Sequence, residues 1–151
     1  MSDVLDPTVI DGITDAIVAK LQAIDQITDP DAVELEPAGD PDIFPALGVM
    51  IASGDVVERE AGLIRWEMTV TIEGFAQRGD GKVASAERAA LHAAAIAALM
   101  SDDQLAGRVE AIDPMGWRYF TADLASKRRL GFGQDFAVQF TTSRTNPALP
   151  G

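Results

Sequence analysis

The chain reads as an α+β domain: a mostly antiparallel sheet of four or five strands with two helices packed on one face. Three observations predict this. Apolar residues recur at helical spacing in two windows, 8–24 and 84–100. Strict alternation of apolar and polar residues runs along 64–75, and a second alternating row, rich in phenylalanine, runs along 132–140. Turn signals, not long crossovers, separate neighbouring strands, which favours antiparallel pairing. At 151 residues the chain can bury a core without disulfides or metals, and one domain is expected over 5–145, with 146–151 a loose tail.

The first helix is expected to open at Asp6-Pro7, with Asp6 as N-cap and Pro7 at a first position that needs no N–H. Val9, Ile10, Ile13, Ile17, Leu21 and Ile24 form its apolar stripe, and the helix should end near 25–28. Asp29-Pro30-Asp31 is a turn, and 32–36 a short strand in which Val33 and Leu35 alternate with acids. Residues 37–45 contain three prolines and a glycine and read as a loop. Its Ile43 and Phe44 are apolar and need cover, either from the domain edge or by insertion into a neighbouring molecule.

Residues 46–53 read as a buried strand, and 55–60 with 63–76 as a hairpin turning at Glu60-Ala61-Gly62. In the second arm Ile64, Trp66, Met68, Val70, Ile72 and Gly74 share one face. That arm is long for a strand, so its outer end is expected to project beyond the sheet. Arg78-Gly79-Asp80-Gly81-Lys82 reads as a turn; its RGD has no adhesion reading without a secretory signal, and GDGK lacks the spacing of a phosphate loop. The alanine-rich helix over 84–100 should bury Leu91, Ala95, Ile96, Leu99 and Met100. A turn over 101–107 leads to a strand over 108–112, a break at Asp113-Pro114-Met115-Gly116, and an extended stretch at 117–120. The only basic cluster, Lys127-Arg128-Arg129, lies in 124–131, and the last strand over 132–142 should bury Phe132, Phe136, Val138 and Phe140.

Composition excludes several chemistries. With no cysteine there are no disulfides, thiolate metal sites or thiol nucleophiles, and one histidine makes a histidine-built zinc site implausible. No cofactor is expected. No N-terminal stretch reads as a signal peptide and no apolar segment approaches the length of a membrane span, so assembly in a cytoplasm is expected. Residues 1–60 carry 14 acidic and 2 basic side chains, which accounts for the whole net charge of −12. Such a surface is poorly suited to gripping nucleic acid and suits solubility, a basic partner, or a channel that DNA must traverse without sticking. His92, flanked by alanines, reads as a structural histidine; as a catalytic base it has only Asp102 or Asp103 as nearby partners.

Three segments together resemble the tail terminator (tail-completion, minor tail protein U-like) family of long-tailed phages and phage-like gene transfer particles. They are the amphipathic helix over 8–24; the strand over 65–76 that ends at a glycine loop before a helix containing LHAAAIAAL; and SDDQLAGRVEAI followed by a closing strand over 136–143. The likeness spans about 5–145, while 37–45 and 117–130 fall outside the pattern. It implies a structural virion protein without enzymatic activity: a homohexameric ring at the head-proximal end of the tail. That ring stops tube polymerisation and docks the head or neck connector, and DNA passes through without specific binding. The implied partners are further copies, the tail tube protein and the connector, with no membrane. The candidate contacts read from this sequence are Lys127, Arg128, Arg129, Ile43, Phe44, Arg78 and Lys82. A ring closes head to tail and needs two different patches, which the acidic first part and the basic cluster can supply. Competing readings are another neck or connector component, a small acidic binding module, and a hydrolase-like enzyme at His92.

Overall fold

The computed structural model describes residues 8–124 and 126–151. It is an α+β fold with two helices and one five-stranded, mixed but mostly antiparallel sheet. Asp6 and Pro7 lie outside the described residues. The first helix, α1 (Val9–Gln22), is capped by Thr8, whose hydroxyl accepts from the Asp11 N–H while the Asp11 carboxylate accepts from the Thr8 N–H. That reciprocal pair satisfies two orphan donors. Ile13, Ile17 and Leu21 are fully buried; each contributes roughly 1.5–3 kcal/mol by leaving water. Ile10, also expected in the stripe, is exposed.

A 3-10 turn (Pro30–Ala32) leads into the short strand β1 (Val33–Leu35), which pairs in parallel with β2 (Ala46–Glu60) and makes the sheet mixed. Past the end of β1, the Glu36 carboxylate accepts from the Ile51 N–H, occupying part of the free edge of β2. β2 is continuous where the sequence suggested two pieces. Gly54, where the break was expected, pairs with Met68, and the ladder irregularities lie on either side of it, between Ile51 and Ser53 and between Val56 and Glu58. The hairpin loop is Ala61-Gly62, with Gly62 at φ +84°, and β3 (Leu63–Phe75) follows. β3 does not project: it is paired along its length to β2 on one side and β5 (Lys127–Ser143) on the other.

The second helix, α2 (Gly81–Met100), starts three residues earlier than expected, so Lys82 lies in its first turn. Leu91, Ala95 and Leu99 are buried as expected, whereas Met100 is exposed. Contrary to the sequence reading, α2 is long and apolar enough to cross a membrane by length and composition, with a mean hydropathy of 1.2. Alanines supply that value, and its Leu91, Ala95 and Leu99 join the sheet's core.

β4 (Ala111–Leu124) is a single strand that begins after 108–110 and runs through the expected break, with a bulge between Pro114 and Trp117. The sheet order β1-β2-β3-β5-β4 explains this, because β4 is an edge strand. A proline there can point its missing N–H away from the ladder. β5 likewise begins at Lys127, so the basic cluster is strand and not loop. One core cluster joins Ile13, Ile17 and Leu21 of α1, Leu91 and Leu99 of α2, and Val49, Val70, Ile72, Phe132, Phe136, Val138 and Phe140 of the sheet. The final residues turn back onto the domain: the Val9 N–H donates to the Ala148 carbonyl, the Ser143 N–H to Leu149, and Pro150 bridges Thr142. The tail expected to be loose is tied by these contacts.

Candidate functional site

The tip of the β4–β5 hairpin gathers four of the predicted contact residues. β3 ends at Phe75, opposite Gly131, so Lys127, Arg128 and Arg129 continue past its end, paired only with Leu124, Asp123 and Ala122 of β4. The loop before β2 brings Phe44 beneath them, and the Arg129 guanidinium lies 3.9 Å above its ring. Such a cation–π contact contributes about 0.5–1 kcal/mol. One terminal nitrogen of Arg129 donates to the Gln77 carbonyl, while its Nε is buried without a hydrogen-bond partner among the described residues. Asp42, Phe44, Gln77, Gly79, Lys127, Arg128 and Arg129 line an open pocket of about 420 Å³. Lys127 and Arg128 are exposed.

Ile43 goes elsewhere. It packs, half-buried, against the main core and lines a smaller cavity of about 90 Å³. Asp31, Glu34, Asp40, Asp42 and Glu73 also line that cavity, so it is acidic. Asp42 lines both spaces, and the loop therefore separates a cationic pocket from an anionic one. Burial pushes the Glu73 carboxyl above its usual range, and Arg118, which crosses the sheet over Gly133, partly offsets this. A carboxyl whose folded pKa is raised contributes stability that is complete below its unfolded pKa and lost as pH rises through the folded value. Glu73→Gln is therefore expected to raise the thermal midpoint at pH 7, by on the order of 1 °C given the partial exposure. The gap should close below the ordinary value of 4.5 in scans across pH.

Arg78 and Lys82 do not join the pocket lining. Arg78 is largely exposed and lies 3.8 Å from Glu87, and Lys82 is exposed on the first turn of α2.

His92 is buried at 7% exposure, and both ring nitrogens are engaged. Nδ1 is 3.0 Å from the Tyr119 hydroxyl and Nε2 is 2.8 Å from the Gln134 Oε1. The ring stacks on Phe132 at 4.8 Å and lies 5.5 Å from Trp117, while Arg88 sits 4.2 Å over Tyr119. Asp102 does not pair with His92; its carboxylate accepts from the Ala106 N–H in the turn after α2. The structural reading of His92 agrees with this geometry. Sequence reasoning missed the neighbours: Met115, Trp117 and Tyr119 lie along the edge strand, with Met115 and Trp117 more than half exposed. Their alternate spacing was the available signal, obscured by reading Pro114 as a break.

These features define a small α+β domain whose distinctive surfaces are a cationic hairpin tip, an acidic β1 side and an aromatic edge strand. No protein-family model matches the chain, and no curated protein matches it.

Proposed function

We propose that this protein is a structural assembly protein of the tail terminator type, one that caps a tail tube, ends its polymerisation and offers a ring for the head or neck to dock on. The sequence resemblance supplies the family. One structural observation supports the reading most: the two edges of the sheet differ in kind. At one edge stands short β1 with the exposed outer half of β2; at the other stands β4 with exposed Met115 and Trp117. A subunit with two unlike edges is suited to the head-to-tail contact a closed ring requires. Its lone histidine, held at both nitrogens by neutral partners, fits a packing role better than proton transfer.

The test is to add purified protein to polymerising tail tubes and image them by negative stain. The expected result is shorter tubes with a ring at one end and no rings on isolated heads. Rings on heads alone would favour a connector component, and tubes of unchanged length without rings would overturn the reading.

A further inference from the structure

We propose that the cationic tip of the β4–β5 hairpin docks on the β1 side of a second copy of this chain, with Lys127 and Arg128 of one copy facing Asp31, Glu34 and Asp40 of the next. The proposal rests on the ring assembly above and names the contact that would close it.

β1 and β4 are the two edge strands of the sheet. Val33 of β1 is opposite Leu47, Leu47 is opposite Gly74, and Gly74 is opposite Phe132. β1 thus lies at the end of the sheet near Phe132, and the hairpin tip at Leu124–Lys127 extends from that same end. Within one copy Leu124 at the tip already borders the acidic cavity with Asp31 and Glu34, so the contact proposed is with the outer edge of β1, which a second copy set side by side with strands in the same direction would meet with its tip. The contact uses different patches on the two copies, so it can repeat around a ring.

The ion pairs among the described residues employ Arg65, Arg78 and Arg118 with Glu58, Glu87, Glu110 and Asp135. Lys127, Arg128, Arg129, Asp31, Glu34 and Asp40 take part in none of these. Asp123 faces Arg128 across the hairpin and Asp42 lines the same pocket, which leaves the three cations of the tip with an excess of one positive charge. The β1 side has the opposite sign: from 25 to 42 there are seven carboxylates and no cation. Leu35, 39% exposed on β1, places an apolar side chain beside these carboxylates. Single exposed ion pairs contribute little. A field of several charges on each side selects the partner and its register, and reversing one side converts attraction to repulsion.

The experiment uses the full chain with Lys127→Glu/Arg128→Glu and, separately, Asp31→Lys/Glu34→Lys, with fold checked by circular dichroism. Particle mass is read by light scattering at low and high salt, alongside tube capping. Wild-type assemblies should lose mass as salt rises. Each variant alone should assemble on the order of tenfold more weakly. An equimolar mixture should recover, because each altered patch meets its complement on the other variant. Assembly indifferent to salt and to all four substitutions overturns the docking while leaving the ring reading standing, as do variants that stay apart when mixed. A wild-type protein that neither exceeds monomer mass nor caps tubes overturns both. If a reversal unfolds the chain, Lys127→Gln/Arg128→Gln takes its place, and undiminished assembly of that variant rejects the contact.

Discussion

Phe132→Ala is expected to lower stability by about 3–5 kcal/mol, the cost of deleting a buried aromatic ring and leaving its cavity. For a chain of this size that amounts to roughly 10 °C in thermal midpoint. Phe132 is fully buried and is the directly opposed partner of Gly74 on β3. Its ring covers that glycine so closely that a Cβ on Gly74 would lie 2.2 Å from Cε1 of the ring and 2.9 Å from a Leu47 methyl. The ring also stacks on His92. The glycine and the phenylalanine therefore form one packing unit. Gly74→Ala should cost about 1–3 kcal/mol by overpacking. Combining it with Phe132→Leu, which removes the ring edge, should cost less than the two changes summed, with a coupling of about 0.5–3 kcal/mol. Urea unfolding followed by tryptophan fluorescence measures all three. A loss below about 1 kcal/mol for Phe132→Ala would place the ring outside the core's support.

That pair also shows what the sequence made legible and what it hid. The alternating row of phenylalanines in β5 and the even-numbered face of β3 mark the core in the sequence, because a two-residue period has only one way to bury one face. Helix spacing did the same for Ile13, Ile17 and Leu21. Boundaries failed where a local breaker met a tolerant tertiary setting. Pro114 reads as an interruption, yet an edge strand accommodates it, and Gly54 reads as a gap, yet it pairs with Met68 inside a continuous β2 whose irregularities lie on either side. The parallel pairing of β1 depends on a contact across the loop at 37–45, which no local pattern encodes. Of the candidate site, the cationic cluster was visible as composition. Its seating over Phe44 and the separate fate of the adjacent Ile43 arise only from tertiary packing. Gln134 was the quietest residue of all, a polar side chain at a core position.

Gln134→Leu, which matches the apolar row of β5, is expected to destabilise the protein by about 2–4 kcal/mol. Gln134 is 1% exposed, and its amide nitrogen lies 3.0 Å from the Met115 carbonyl, 3.4 Å from Gly116 and 2.9 Å from that of Asp135. Three acceptors around the nitrogen fix the amide's orientation, so its oxygen must face His92. His92 Nε2 then carries the hydrogen and donates, leaving Nδ1 to accept from the Tyr119 hydroxyl. The chain of bonds runs from the edge strand through the helix to β5 and back to the bulge after Pro114. Leucine would strand the His92 N–H and uncover carbonyls at that bulge, and a buried polar group without a partner costs more than its bond contributes. His92→Leu/Gln134→Leu removes the donor along with the acceptor and should recover at least about 1 kcal/mol of the single variant's loss. Hydrogen exchange adds a local reading: amides of β4 near Trp117 should exchange faster in Gln134→Leu, because that side chain ties the bulge to β5. Wild-type stability and unchanged exchange in the single variant would mean that the network is incidental. Loss at both levels would mean that a buried amide sets the position of the exposed Met115 and Trp117, and that this edge owes its shape to a polar residue in the core.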